Sequence, residues 1–196
     1  MRKTIEYYPD GQTVKTIHML AKSGLGVDEE YFPNGRLAQR CILRNGRKNG
    51  SFKVYDQEEG RLIGKGMFKD DKKNGVFKFY PEDGRLMKCV YKDDKLNGPY
   101  FIFERNCQLL ERGWYKDGKR HGSRCYYYKN GILFMMQSYK NGLLDGLCQI
   151  REPDGRLREE IVFEKGKKIS HRKISEIAKH VSGAVPNAGK PCVSHD

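Results

Sequence analysis

Gly75-Val76-Phe77-Lys78-Phe79-Tyr80-Pro81-Glu82-Asp83-Gly84-Arg85-Leu86-Met87-Lys88-Cys89-Val90-Tyr91 reads as two extended segments folded back at a turn. Phe77 and Phe79 alternate with Val76 and Lys78, the period of a strand with one face buried. Asp83-Gly84 is a short-hairpin signal, and the expectation is a type I′ turn with positive φ at both residues. Arg85 through Tyr91 is then the return strand. Gly50-Ser51-Phe52-Lys53-Val54-Tyr55 repeats the leading half, and Pro33-Asn34-Gly35, Lys129-Asn130-Gly131 and Pro153-Asp154-Gly155 repeat the turn. Return strands close in polar turns such as Asn45-Gly46-Arg47-Lys48-Asn49-Gly50 and Lys116-Asp117-Gly118-Lys119-Arg120-His121-Gly122.

Working outward, the same unit recurs along the chain. Gly26, Gly50, Gly75, Gly98, Gly122 and Gly146 are spaced by 24, 25, 23, 24 and 24 residues. A second series runs Gly11, Gly35, Gly60, Gly84, Gly131 and Gly155, with Cys107 in the missing place beside Asn106. A third lies seven before each leading glycine: Met19, Leu43, Phe68, Tyr91, Tyr115, Tyr139 and, past the last glycine, Phe163. Three series in register predict tandem repeats. The expected fold is all-β: an elongated, single-layer antiparallel sheet of about seven tandem β-hairpins. A lone hairpin is marginal in water, so the units must rest on one another.

The composition suits a thin structure. Apolar residues make up 37% of the 196 residues, while aromatic residues reach 11%, too many for a disordered chain. The net charge of +13 favours acidic partners, whether protein, phosphate or anionic lipid. The alternative is that surface lysines protect strand edges from pairing with other chains. The segment from Met1 to Tyr8 has no apolar core of a secretory signal, and no stretch approaches the roughly 18 apolar residues of a membrane span. A cytoplasmic, soluble protein is expected. Cys41, Cys89, Cys107, Cys125, Cys148 and Cys192 form no CxxC pair and read as reduced structural thiols.

Tyr80-Pro81-Glu82-Asp83-Gly84-Arg85-Leu86 and Tyr115-Lys116-Asp117-Gly118-Lys119-Arg120-His121-Gly122 resemble the MORN repeat in its bacterial variant form. The resemblance spans roughly residues 5 to 170. It departs from the pattern at Gln12-Thr13-Val14, Ser23-Gly24-Leu25 and Asn106-Cys107. It implies single-layer antiparallel sheets that make protein contacts, dimerise or bind acidic lipid. Arrays of this spacing are also similar to the YwqK-type antitoxin family, which implies neutralisation of a toxin protein.

The expected organisation is a repeat array over residues 1–169, a capping helix over 170–183 and a flexible tail over 184–196. Ile174, Ile177, Ala178 and Val181 fall at i, i+3, i+4 and i+7, Ser170 suits an N-cap, and Gly183 suits a stop. The helix is read as a cap on the last apolar row, the alternative being a basic amphipathic helix for a membrane or partner.

No constellation for catalysis emerges. The five histidines are far apart, and Cys41 and Cys89 share one repeat position two units apart, which suits small packed side chains. Gly60-Arg61-Leu62-Ile63-Gly64-Lys65-Gly66 is one residue short of a phosphate loop and lacks its Ser/Thr. Glu58-Glu59 and Glu159-Glu160 point to opposite faces of a strand. The expectation is therefore a non-enzyme with no catalytic residue, cofactor or metal. Two surface features are the candidates for binding. Arg47, Lys48, Lys72, Lys73, Lys95, Lys119 and Arg120 recur at turns as a basic stripe, and Tyr31, Tyr55, Tyr80 and Tyr127 recur at strand ends as an aromatic ladder. The partner expected for them is an acidic protein bound by a scaffolding or antitoxin-like module. Peripheral binding to anionic phospholipid is the alternative, and nucleic acid ranks last because no recognised nucleic-acid motif is present.

Overall fold

The computed structural model describes residues 1–174, which hold seventeen strands and no helix. They fall into two compact units, one of Met1–Glu82 with Met87–Asn97 and one of Asp83–Leu86 with the chain from Gly98 onward.

The first unit is an antiparallel succession of β1 (Arg2–Tyr7), β2 (Val14–Leu20), β3 (Leu25–Tyr31), β4 (Leu37–Arg44), β5 (Arg47–Tyr55) and β6 (Leu62–Lys69). β6 pairs with both β7 (Lys72–Lys73) and β8 (Gly75–Phe79), which are separated by the single bulged residue Asn74. β8 then pairs with β9 (Leu86–Lys92).

The second unit takes up the same path within β10 (Lys95–Phe103) and continues with β11 (Leu109–Lys116), β12 (Lys119–Arg120) and β13 (Gly122–Tyr127). It ends with β14 (Leu133–Lys140), β15 (Leu143–Arg151), β16 (Leu157–Glu164) and β17 (Lys167–Lys173). The tandem-hairpin reading holds. Seven hairpins, β1–β2, β3–β4, β5–β6, β8–β9, β10–β11, β13–β14 and β15–β16, precede the final strand.

The register explains why two of the sequence series travel together. Gly26 stands opposite Leu43, Gly50 opposite Phe68 and Gly75 opposite Tyr91 in the first unit. Gly98 faces Tyr115, Gly122 faces Tyr139 and Gly146 faces Phe163 in the second. From Gly50 to Gly146 each leading glycine has positive φ, between 71° and 139°, a conformation that glycine adopts without strain. The first repeat departs: Met19 faces Val27, past the leading Gly26, whereas Leu43 and Phe68 face Lys48 and Lys73, which precede theirs. There the Ala21–Gly24 turn, closed by the Gly24 amide on the Ala21 carbonyl at 2.9 Å, replaces the two-residue turn and its bulge.

The turns correct the expected assignment. At Phe32–Arg36 the Gly35 amide donates to the Phe32 carbonyl and the Phe32 amide to the Arg36 carbonyl, each at 2.8 Å. Only Gly35 has positive φ, at 80°. This is a type I turn followed by a left-handed residue, the three-residue hairpin loop, and Gly84, Gly131 and Gly155 hold the same place. Cys107 adopts it at φ 65°. Two successive positive φ values, the type I′ signature, occur instead at the opposite ends of the strands: Asn45-Gly46, Asp70-Asp71, Asp93-Asp94, Asp117-Gly118, Asn141-Gly142 and Lys165-Gly166. Asp71 and Asp94 tolerate this conformation because each carboxylate accepts a backbone amide of the preceding turn. The donors are Lys48 at 2.7 Å and Lys73 at 2.8 Å.

The two units fill their buried faces differently. In the first, Phe77 is 1% exposed and meets Phe68 and Tyr91 edge-on, at 6.1 and 5.0 Å between ring centroids. Its ring lies over Gly66, where a Cβ would come within 2.3 Å of it. Burying a ring this fully stabilises by roughly 1.5–3 kcal/mol. In the second, the Tyr100 ring covers Gly113 and its hydroxyl donates to Glu111 at 2.5 Å. Arg124 pairs with the same carboxylate at 2.8 Å and stacks on Tyr126, 4.5 Å from its centroid. Burial first, then the Glu111 hydrogen bond, pushes the Tyr100 hydroxyl above its ordinary range. Burial opposes the Arg124 charge, but its bond to Glu111 holds the proton more firmly than usual.

At the C-terminus, Ser170, His171, Arg172 and Lys173 are strand residues rather than the start of a helix. β17 pairs along β16, and the Ile174 amide donates to the Arg158 carbonyl at 2.8 Å. The array thus runs past residue 169, because β16 offers backbone partners that an isolated sequence window does not reveal. The rest of the expected helix, to 183, and the expected tail over 184–196 lie outside the described residues.

Candidate partner-binding face

Strand alternation places each residue of the first unit on the ring face, with Phe52, Phe68, Phe77 and Tyr91, or on the face behind it. Three rows cross that second face. The central one is cationic. Arg40 stands opposite Lys53, Lys53 opposite Lys65, Lys65 opposite Lys78, and Lys78 opposite Lys88. With strands about 4.8 Å apart, five cations follow one another over about 19 Å. Arg40 meets Glu29 at 3.4 Å. Among the described residues, Lys53, Lys65 and Lys78 enter no ion pair.

The next row is apolar except at Ser51: Val27 faces Ile42, Ser51 faces Met67, and Val76 faces Val90. Met67 and Val76 are each 52% exposed. The third row, at the type I′ turns, is cationic again. Arg44 stands opposite Arg47 and Lys69 opposite Lys72, while Lys92 and Lys95 flank Asp93-Asp94. A cleft of about 800 Å³ opens there, lined by Arg47, Lys69, Lys72 and Lys92 together with Asp70 and Asp93. Those carboxylates offset part of the positive potential at the turn tips, so the central row is the purer cationic feature.

The stripe expected from sequence separates into two sets. Arg47, Lys72 and Lys95 in the first unit and Lys119 in the second are exposed. Lys48 and Lys73 turn to the ring face, with Lys48 Nζ 5.8 Å from the Phe68 centroid and Lys73 Nζ 5.2 Å from that of Tyr91. Arg120 lies 5.7 Å from the Tyr139 centroid. These three set their charged ends over ring faces, a cation–π arrangement.

The expected tyrosine ladder is placed differently. Tyr31, Tyr55, Tyr80 and Tyr127 are half-buried, and among the described residues none of the four stacks on another. The Tyr31 hydroxyl donates to Glu29 at 2.8 Å, and Tyr127 lies under Arg112, 5.9 Å from its centroid. The ring contacts run instead through Phe52, Phe68, Phe77 and Tyr91 in one unit and Tyr100 with Tyr115 in the other.

The central cation row was missed from sequence. Its signal was present: Arg40, Lys65 and Lys88 each fall ten before a leading glycine, and Lys53 and Lys78 three after one. Cys41 and Cys89 occupy the neighbouring ring-face position beside them. Burial pushes the Cys41 thiol up to about 11, as suits a packed, unreactive side chain.

In the second unit the equivalent row reads Phe101, Arg112, Cys125, Met136, Gln149 and Glu160, each opposite the next. One cation and one carboxylate replace the cation run. Pro99 faces Trp114 there, and the indole is 50% exposed.

The family model described as a MORN repeat variant matches residues 120–141, from Arg120 through the β13–β14 hairpin to Asn141. The matched hairpin is a MORN repeat of the variant type. It pairs Gly122 with Tyr139 and closes on the left-handed Gly131, features shared by β3–β4, β5–β6, β8–β9 and β15–β16. MORN repeats are generally associated with protein and membrane binding. No curated protein matches the chain.

Proposed function

We propose that this repeat protein is a non-enzymatic binding module and that the cation face of its first unit takes an acidic protein partner. One observation carries the reading: four successive strand pairs place like charges directly opposite each other. Such pairs destabilise a sheet. Edge protection does not account for them, because β5 and β6 have a paired strand on both sides. An acidic partner would relieve the repulsion and gain the attraction. A toxin neutralised by the module is one such partner, the role implied by the YwqK-type similarity. Cytoplasmic residence belongs to this reading.

Fluorescence anisotropy with a labelled poly-glutamate peptide tests it on the full chain. Lys53→Glu/Lys65→Glu/Lys78→Glu is expected to weaken binding at least tenfold, and binding should fall steeply with salt. The control Lys129→Glu/Lys140→Glu/Lys168→Glu reverses three exposed charges of the second unit and should cost less than threefold. Equal losses in the two triple variants would mean net charge alone drives binding. A second reading, contact with anionic phospholipid, draws on Met67 and Val76 standing exposed between cation rows. Failure to co-sediment with phosphatidylserine-rich vesicles at low ionic strength removes it.

A further inference from the structure

We infer that the partner presents an acidic amphipathic helix, which lies across the strands of the first unit with its apolar stripe on the Ile42, Met67, Val76 and Val90 row. This rests on the acidic-partner reading and gives it a shape.

The order of rows carries the inference. Lys65 and Lys69 lie on the same strand, four residues apart, with exposed Met67 midway between them. At 3.2–3.4 Å per residue, the two cation rows are about 13 Å apart. A helix with its side chains is about 10–12 Å across. Laid along the apolar row, it would rest an apolar stripe on Met67 and Val76. Acidic residues on its flanks would meet Lys53, Lys65 and Lys78 on one side and Arg44, Lys69 and Lys72 on the other. The central row extends about 19 Å, which matches about 13 residues of helix at 1.5 Å each.

Other occupants fit less of the pattern. An added β-strand needs a free sheet edge, whereas these rows lie on the face of interior strands. An extended polyanion pairs with the cations but leaves the apolar row uncovered. Single-stranded nucleic acid stacks its bases on aromatic rings, and the aromatic residues of β5 to β9 at these registers lie on the other face.

The test compares two labelled acidic peptides of about 14 residues and identical composition. One carries leucines at i, i+3, i+4 and i+7 with glutamates on both flanks; the other has the same residues shuffled so that no stripe forms. The full chain is expected to bind the striped peptide at least tenfold more tightly, and circular dichroism should show the peptide gaining helix on binding. Met67→Ser/Val76→Ser should reduce that preference to under threefold while leaving poly-glutamate affinity within threefold. Lys53→Gln/Lys65→Gln/Lys78→Gln should weaken both peptides, and its gentler side chains keep the test valid if the glutamate triple fails to fold. Equal binding of the two peptides through Lys53, Lys65 and Lys78 overturns the helix and leaves the acidic-partner reading standing. No binding to either peptide or to poly-glutamate at low salt overturns both. Phosphatidylserine vesicles that bind through Met67 and Val76, with no competition from the striped peptide, assign the face to lipid and overturn the helix.

Discussion

Two residues past the leading glycine, the first unit carries Asp28, Phe52 and Phe77, whereas the second carries Tyr100, Arg124 and Cys148. The backbone pairing is the same, yet one unit fills that row mainly with rings and the other with Tyr100 and Arg124, both bonded to Glu111 of the neighbouring row. The opposite faces differ as well: five cations in succession in one unit, and mostly neutral side chains in the other. The hairpin fixes which positions face each other. It does not fix what fills them, so a binding surface can be written onto one part of the array without rebuilding the scaffold. In the first unit that surface sits directly behind the best-packed rings, which supply the stability that like-charge neighbours remove.

The comparison breaks most visibly at its apolar end. Phe77→Ala should cost about 3–5 kcal/mol, because the ring is almost fully buried over Gly66 and no neighbour refills the space. Chemical denaturation measures this, and a loss below about 1 kcal/mol would mean the ring row is not a core. In the second unit, Glu111→Ala strands Arg124 among Tyr100 and Tyr126 and should cost roughly 2–3 kcal/mol. Replacing the pair together, as Glu111→Met/Arg124→Phe, imitates the first unit and should recover most or all of that loss. A double variant as unstable as the single one would show that the cluster does more than fill the row.

Smaller effects sharpen the contrast. Cys107 holds a left-handed conformation that glycine adopts freely, so Cys107→Gly should stabilise by about 1 kcal/mol. Lys65→Gln removes two like-charge pairs, with Lys53 and with Lys78, and should stabilise by roughly 0.2–1 kcal/mol per pair at low salt. The gain should shrink as salt is added. The smallest effect lies at β17. The His171 hydrogen bond lowers the Glu159 carboxyl below its ordinary 4.5, and hydrogen bonds from Gln149 and Arg172 lower Glu160. A lowered folded value means the stabilisation is present above the ordinary value and is lost as pH falls through the lower one. Backbone resonances of residues 167–173 should therefore broaden on acidification before those of β8, and simultaneous loss of both would contradict this.

The glycine and ring series were legible because they follow the backbone: the left-handed positions that favour glycine, and the strand positions that face the rings, recur with the repeat. The turn types were not. Asp83-Gly84 and Asp93-Asp94 differ in the number of residues between the closing hydrogen bonds, which a dipeptide does not reveal. Ser170 to Lys173 were misread because a short polar segment has little intrinsic preference, and the open edge of β16 decided its conformation. The basic stripe was read by proximity to turns, but strand alternation sends Lys48 and Lys73 to the rings and leaves Arg47 and Lys72 outside. The same alternation, applied to Lys53, Lys65 and Lys78, would have found the central row.

Lysine-reactivity footprinting of the full chain with and without a saturating acidic peptide tests the central claim most directly. Acetylation of Lys53, Lys65 and Lys78 should fall several-fold when the peptide is bound, with Lys69 and Lys72 following. Lys129, Lys140 and Lys168 should remain as reactive as in the free protein. Uniform protection across both units, or protection confined to the second, would contradict the assignment of the binding face.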